Sequence, residues 1–315
     1  MDKKIDVSVV IPVYNEEESI NRCFNEVDNE CQKLGRTYEI IYVNDGSKDN
    51  SLNILKELAE KYPQVKVINF SRNFGQNPAL MAGFKMSSGE AIINIDCDLQ
   101  DPVHLITDFV NKWSEGYDVV LAKRKKRAGE SIFKKVTSKI FYKVFKWLSK
   151  TNTPQDCGIS RLLSRRVLND ILQLNEHNIY LAGMTEYVGY KQTIVEFDRE
   201  PRREGKTKYS VKKLVKLAIS NTLPYSSTPI AFIFGGGITM SLMGTLGLIA
   251  LLVLSLVKVA FPSLLWIIGT IVLCTGIIMA SLGVIGAYIM MSYTEVLNRP
   301  RYIIADKYNF GDKDE

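Results

Sequence analysis

Two aspartates one residue apart, Asp96 and Asp98, directly follow the short apolar run 91–95. Because side chains alternate along an extended chain, both carboxylates are expected on the same side, where they can face one ion. Two hard oxygen ligands suit Mg²⁺ or Mn²⁺, which keep coordination positions open for substrate phosphates. The alternative is a polar strand end followed by a turn that contains the turn-forming dipeptide Asp101-Pro102. The choice between a metal site and a turn depends on the surrounding elements.

Those elements form an alternating series over the first 130 residues. Strand patterns cover residues 7–13, 38–43, 65–69 and 91–95, and helix patterns cover residues 16–34, 51–61, 78–86 and 102–113. Such alternation predicts an α/β domain with a mostly parallel sheet and helices on both faces. Polar clusters follow three of the strands, at residues 14–16, 44–46 and 96–100. Because ligands bind at the carboxyl ends of the strands in such sheets, we expect these clusters to form one site.

Several other classes of site are disfavoured by what the sequence lacks. Neither a Gly-x-Gly-x-x-Gly turn after the first strand nor a Gly-x-x-x-x-Gly-Lys-Ser/Thr loop occurs, so dinucleotide-binding and P-loop domains are not expected. The chain has 315 residues with 5 scattered cysteines and 2 histidines, which predicts neither a disulfide framework nor a zinc site. The net charge is a mild +6, and we expect no nucleic-acid partner.

The carboxyl-terminal third of the chain is strongly apolar. Between Lys216 and Glu295 the only charged residue is Lys258, and each half exceeds the ~20 residues that span a bilayer. This predicts two transmembrane helices, at residues 230–257 and 264–291. Basic residues flank both outer ends, so the positive-inside rule places both termini and the first domain in the cytoplasm, with a multi-pass protein in the cytoplasmic (inner) membrane. The alternative, a soluble apolar helix pair, is disfavoured by the lack of a polar face.

A second membrane-related feature is the basic amphipathic stretch at residues 132–150. Its apolar residues recur at helical spacing with lysines between them, which favours a helix lying in the membrane interface over a helix packed on the sheet. The predicted domains are therefore a catalytic core at 1–130, an acceptor-side segment with interfacial helices at 131–228, a transmembrane hairpin at 229–294 and a cytoplasmic tail at 295–315.

Three motifs of this sequence, at residues 9–16, 43–49 and 96–102, resemble those of glycosyltransferase family 2. The segment 199–209, followed by two apolar spans, resembles the polyprenyl-phosphate glycosyltransferases within it, which include bactoprenol glucosyltransferases and dolichyl-phosphate mannose synthase. The resemblance implies a nucleotide-sugar-binding domain of the GT-A type. It also implies a set of roles. Nucleotide-sugar binding falls to Pro12, Tyr14, Asn15, Glu16, Asp45, Asp96, Arg202 and Lys208, metal binding to Asp96, Asp98 and Gln100, and catalysis to Asp96, Asp98, Asp156, Arg202 and Lys208.

The implied reaction is an inverting transfer of a sugar from a nucleotide-diphosphate sugar, with UDP favoured over GDP, to a membrane polyprenyl phosphate. A phosphate monoester is mostly dianionic at neutral pH, since its second pKa is ~6, so an essential general base is not required. This matters because residues 156–161 lack the second acid that many relatives carry shortly after the position of Asp156. Three basic residues are candidates to gather the anionic acceptor, or else to contact lipid: Arg124, Arg127 and Arg161.

Two other functions remain open at the level of sequence. A processive membrane polysaccharide synthase is disfavoured because no tryptophan lies in a Gln-x-x-Arg-Trp context. A non-catalytic membrane scaffold or lipid carrier with a transferase-like domain is disfavoured because the motif residues Asp98, Gln100, Arg202 and Lys208 are intact. Glycines at 235–237 and at Gly283 and Gly286 would allow close helix packing in a homo-oligomer.

Overall fold

The computed structural model describes residues 4–125, 157–174, 176, 179–198 and 263–311. The strands are β1 (Val7–Val13), β2 (Tyr38–Asn44), β3 (Val65–Phe70), β4 (Ala91–Asn94), β5 (Val119–Arg124), β6 (Cys157–Ser164), β7 (Gln192–Phe197) and β8 (Ile304–Tyr308). The helices are α1 (Ile20–Lys33), α2 (Ser51–Lys61), α3 (Gln76–Met86), α4 (Leu105–Ser114), α5 (Arg165–Gln173), α6 (Leu181–Val188) and α7 (Ser263–Val296).

The strands form one sheet in the order β7-β5-β6-β4-β1-β2-β3-β8. Its centre, β4-β1-β2-β3, is parallel throughout, and β7 is parallel to β5. Antiparallel pairings join β6 to β4 and to β5, and β8 to β3. The predicted α/β class with a mostly parallel sheet is therefore confirmed.

The central strands are buried on both faces, which is why they read as continuous β-branched runs rather than as alternating patterns. On one face, Val9 and Ile11 of β1 pack in a core with α1, α2 and α4. On the other face, Val10 packs in a core with α3, α5 and α6. This double cover fixes the register of the central strands, and so fixes where their carboxyl ends and the following loops lie.

The strand β8 is an element that the sequence pattern does not predict, since it falls in the stretch 295–315 interpreted as a tail. It pairs antiparallel with β3 at the sheet edge, and the Asp306 carboxylate accepts a hydrogen bond from the Asn69 amide at 2.8 Å. The Asn309 amide donates to the carbonyl groups of Ala59 and of Val65, the latter at 2.9 Å. All eight strands belong to one compact unit of the chain, and α7 belongs to another.

The membrane predictions meet the structure only in part. The predicted span 230–257 and the predicted interfacial helix 132–150 lie outside the described residues. The predicted span 264–291 coincides with α7, a helix of 34 residues. A search of the residues that the structure describes finds no helix that is both long and apolar enough to cross a membrane.

Candidate active site

The loops that follow β1 and β2 are tied together by hydrogen bonds between their backbones and short polar side chains. The Asn15 backbone N–H donates to the Ser47 hydroxyl at 3.0 Å, and the Asn15 side-chain oxygen accepts the Lys48 N–H at 2.8 Å. The Glu16 N–H donates to the Ser51 hydroxyl at the start of α2, also at 3.0 Å. Asn15 has a left-handed φ of 54°, which asparagine tolerates better than most residues. The two loops therefore form one rigid edge.

Asp45, directly after β2, is the anchor of a third loop. The residue is 2% exposed, and its carboxylate accepts hydrogen bonds from the Asn73 amide at 2.8 Å and from the backbone N–H groups of Phe74 at 2.7 Å and Gly75 at 2.9 Å. Burial raises the pKa of Asp45, and the two backbone N–H groups oppose that rise. The carboxylate predicted to bind the nucleoside thus also holds residues 73–75 in place.

Gly46 explains why the motif continues with glycine. Its φ is 65°, and a Cβ there would collide with the backbone of Arg72 and Asn73. Only glycine lets the loop after β2 approach the loop after β3 this closely. Tyr14, directly after β1, is 41% exposed, and Pro12 is half-buried within the strand.

The aspartate pair follows β4, which ends at Asn94, and lies in a turn instead of on the extended strand that the sequence suggests. Asp96 and Asp98 are both half-buried, while Cys97 between them is 3% exposed. The Gln76 amide, at the start of α3, donates to Asp96 at 2.8 Å. The Asp98 carboxylate accepts the backbone N–H of Gln100 at 3.1 Å. Each carboxylate is thus oriented by a neighbouring amide.

The donor set fits a small divalent cation that shares its coordination sphere with a substrate. Within the described ranges, no group of three or more His, Cys, Asp or Glu side chains gathers as a self-sufficient metal cage. One or two carboxylates are what Mg²⁺ takes when phosphates complete the octahedron. Gln100, predicted as the third ligand, is 7% exposed, and its buried amide nitrogen has no hydrogen-bond partner among the described residues. As an N–H donor, this nitrogen suits an acceptor oxygen of a bound ligand, whereas a metal ion would be bound by the other polar atom of the side chain, Oε1.

The predicted acceptor-side arginines lie in different environments. Arg124 ends β5, and its side chain is 35% exposed. Arg161 lies within β6, is 4% exposed, and donates to the Ile159 carbonyl at 3.0 Å and the Gly158 carbonyl at 3.5 Å. Burial lowers the pKa of Arg161 to about 10. The structure therefore does not bring Arg161 to the surface beside Arg124.

Four predicted site residues, Asp156, Arg127, Arg202 and Lys208, lie outside the described residues. Two residues that the sequence analysis does not single out contribute to the site. Gln76 orients Asp96, and Ser160 donates to the buried Asp101 carboxylate at 2.6 Å. Ser160 falls within the motif segment 156–161, but the motif gives no sign that its hydroxyl reaches across to the turn after β4.

The chain as a whole is similar to known glycosyltransferases. The profile of "Glycosyl transferase family 2" matches residues 8–172. The chain is 40% identical to an uncharacterized glycosyltransferase, YkcC, of Bacillus subtilis, over 99% of this chain and 97% of that protein. It is 38% identical to the bactoprenol glucosyl transferase of Shigella phage SfII, over 95% of this chain and 97% of that protein.

Among solved structures, the chain resembles glucosyl-3-phosphoglycerate synthase from Mycobacterium tuberculosis, whose crystals contain Mn²⁺, UDP and phosphoglyceric acid. The TM-score is 0.50 at 18% sequence identity, and the alignment covers 68% of this chain and 75% of that one. At this identity the likeness shows a shared GT-A-like fold.

Proposed function

We propose that this chain, which belongs to glycosyl transferase family 2, transfers a sugar from a nucleotide-diphosphate sugar to a membrane polyprenyl phosphate. Its class of enzyme is that of the hexosyltransferases. The observation that carries this proposal is the rigid edge formed by the loops after β1 and β2, with the aspartate pair following β4, the neighbour of β1 in the sheet. Relatives aligned over nearly their whole length are named bactoprenol glucosyl transferases, which supports a polyprenyl-phosphate acceptor.

The donor would bind at the carboxyl edge of β1, β2 and β4. Tyr14 offers an exposed ring for a nucleobase, and Asp45 stiffens the loop at residues 73–75 beside it. UDP is the favoured nucleotide, in keeping with the UDP held by the solved structure of the same fold. Pro12, Asn15 and Glu16 are proposed to complete the nucleotide site.

Asp96, Asp98 and Gln100 would hold Mg²⁺ or Mn²⁺, which when bound neutralises charge on the diphosphate leaving group. The chain's own contribution is orientation, since Gln76 fixes Asp96 and the Gln100 backbone fixes Asp98 before substrate arrives. Arg202 and Lys208 are proposed to contact the donor phosphates, a role that suits their cationic side chains.

In the proposed reaction, an oxygen of the acceptor phosphate attacks the anomeric carbon as the bond from that carbon to the diphosphate breaks. The products are a polyprenyl-phosphate sugar with inverted configuration and a free nucleoside diphosphate. The attacking phosphate is already dianionic near neutral pH, because its second pKa is ~6, so no proton has to be removed. Asp156 is then proposed to position the acceptor or the sugar, and a base role for it is not needed.

We also propose that residues 229–294 anchor the enzyme in the cytoplasmic membrane, with the sheet domain on the cytoplasmic side. The scarcity of charge in this stretch, in which Lys258 is the only charged residue, supports this. A row of apolar side chains on α7 supports it as well. These residues recur every three, four or seven positions, which places them on one helix face, and each is more than half exposed. They are Ile267, Ile271, Ile278, Leu282, Ile285 and Ile289. Such an apolar face suits lipid contact.

The test is sugar transfer by the purified protein in detergent, with undecaprenyl phosphate and a panel of UDP- and GDP-sugars, in Mg²⁺, Mn²⁺ or chelator. We expect metal-dependent lipid product from one donor. Nucleotide release without lipid product would point to another acceptor, and a long polymer would point to a processive synthase. Folded protein without turnover on any donor would favour the scaffold function.

The variant Asp98→Asn tests the metal assignment. Removing one carboxylate charge should lower transfer at least about 100-fold while the fold is kept, because the leaving-group charge is no longer offset. Asp170→Asn is the matched control, since Asp170 is also a half-buried aspartate accepting one hydrogen bond, from Tyr190 at 2.6 Å, but lies on α5 away from the site. Full transfer by Asp98→Asn would refute the assignment.

A further inference from the structure

We propose that Asp101 is a positioning residue that holds Arg124 at the acceptor side of the site. This proposal rests on the proposed function, because it assigns Arg124 to the acceptor phosphate. It adds a residue that does not itself contact substrate. Asp101 would link the turn that carries Asp96 and Asp98 to the ends of β5 and β6.

The Asp101 carboxylate is buried, with the residue 5% exposed. One of its oxygens accepts the Ser160 hydroxyl at 2.6 Å. Its other oxygen, Oδ1, has no hydrogen-bond partner among the described residues and lies 3.7 Å from Nη2 of Arg124. A buried carboxylate is costly unless it is paired and hydrogen-bonded, so the nearby guanidinium and the hydroxyl together account for this one.

The guanidinium of Arg124 also has a hydrogen-bonding atom that is unpaired within the described ranges. Arg124 is the last residue of β5, and its Nε is buried without a hydrogen-bond partner in the part of the chain that the structure describes. A guanidinium has five N–H donors in a fixed fork, which suits the oxygens of a phosphate. Asp101 at 3.7 Å is near enough to hold the guanidinium electrostatically yet leaves its donors available for an anionic ligand.

The start of β6 lies close to both Asp101 and Arg124, as the surroundings of Gly158 show. A Cβ at Gly158 would lie 3.4 Å from Oδ2 of Asp101 and 3.6 Å from Nη2 of Arg124. The start of β6 therefore packs against Asp101 and Arg124. Two residues after Gly158, the Ser160 hydroxyl donates its hydrogen bond to Asp101. One buried carboxylate thus joins the turn after β4, the end of β5 and the start of β6.

The chain contains a second cluster of the same kind at the opposite end of the same two strands. Asp118, just before β5, is also 5% exposed and accepts hydrogen bonds from the Ser164 hydroxyl at 3.1 Å and from Arg166 Nε at 2.6 Å. Both clusters contain a buried aspartate, a serine of β6 and an arginine. Only the Asp101 cluster adjoins the aspartate pair, so Asp118 provides a matched control for a purely structural effect.

The experiment compares Asp101→Asn with Asp118→Asn in full-length enzyme, measuring KM for undecaprenyl phosphate, KM for the donor and kcat. We expect Asp101→Asn to raise the acceptor KM about tenfold or more while the donor KM stays within about twofold, because Arg124 loses its alignment. Asp118→Asn should lower thermal stability comparably and leave the acceptor KM unchanged. An unchanged acceptor KM in folded Asp101→Asn, or an equal rise in both variants, overturns the proposal.

A second readout does not depend on turnover. Phenylglyoxal modification, followed by peptide mass spectrometry, should be several-fold faster at Arg124 in Asp101→Asn than in wild type, and faster at Arg166 in Asp118→Asn. Wild-type enzyme that makes no lipid product would refute the proposed function, whereas equal reactivity of Arg124 in wild type and variant would refute the positioning role. If Asp101→Asn does not fold, Ser160→Ala, which keeps the carboxylate, is expected to show the same changes at smaller size, and their absence counts against the proposal.

Discussion

The Asp45 carboxylate and the Gln76 amide together connect two loops of the candidate site. Asp45 accepts the N–H groups of Phe74 and Gly75 and so fixes the entry to α3. Gln76, the first residue of that helix, donates to Asp96. The loop after β2 therefore orients Asp96 indirectly, through the first residue of α3, and this needs no contact between Asp45 and Asp96.

The variant Asp45→Asn should loosen this connection. An amide in place of the carboxylate brings its own N–H donors toward the donors of Asn73 and Gly75, so at least one hydrogen bond is lost and buried donors stay unpaired. We expect the free energy of unfolding to fall by about 1–3 kcal/mol and UDP affinity to fall as well. Urea unfolding and calorimetric titration with UDP measure the two effects. Unchanged UDP affinity would show that the loop at 73–75 is separate from the donor site.

The positions of the polar clusters at 14–16, 44–46 and 96–100 could be predicted from the sequence because each lies at or just after the end of a strand. Their partners could not. Ser160 and Asp101 are 59 residues apart and Gln76 and Asp96 are 20 apart, so these contacts depend on strand order and helix packing that no local pattern encodes. The burial of Arg161 likewise depends on strand pairing, because β6 pairs with β4 so that Arg161 lies opposite Asn94 inside the sheet.

At the scale of elements, the four strands and four helices that the sequence predicts up to residue 113 all occur, whereas β5, β6, β7, α5 and α6 lie beyond the elements that it predicts. The helix at 51–61 has the predicted bounds, whereas α1 begins at Ile20 because residues 16–19 form a turn closed by the Ser19 N–H on the Glu16 carbonyl, at 2.9 Å. The strand β8 was missed because it is short, polar and mostly exposed, which gives no period-two hydrophobic pattern. Its pairing with β3 and the Asn309 contacts make it a strand.

Asn309 is the residue at which this attachment can be tested. It has a left-handed φ of 63°, and its amide donates to carbonyl groups that follow α2. Asn309→Ala removes the amide and strains the backbone, whereas Asn309→Gly removes the amide alone. We expect both to destabilise the sheet domain in urea, the alanine variant by about 1 kcal/mol more. Equal stability of wild type and both variants would mean that the contacts contribute nothing.

For the whole molecule, β8 means that the sheet is completed by residues from both sides of the segment 209–299, since one compact unit contains 151–208 and 300–315. The sequence alone suggests that a cut before the first apolar stretch would release an intact catalytic domain. The structure shows that this cut also removes β8 and leaves the edge of β3 unpaired. Exposed edge strands promote aggregation.

Two shortened chains distinguish these outcomes. In one, a flexible linker replaces residues 209–299, and in the other the chain ends after Lys208. We expect the first to remain monodisperse and to bind UDP, with transfer to long-chain polyprenyl phosphate reduced, and the second to aggregate. Size-exclusion chromatography and UDP titration measure both. Equal solubility and UDP affinity of the two chains would show that β8 is dispensable.

The position of β8 in the chain also sets an order of events during synthesis. Domains begin to fold from the amino-terminal side as the chain emerges from the ribosome. The partner strand β3 is made early, but β8 emerges only after the whole apolar helix α7. The edge of β3 therefore has no β8 to pair with while the apolar segment is synthesised. A nascent chain stalled within α7 should expose that edge to chaperones, and its release should coincide with the arrival of residues 304–308.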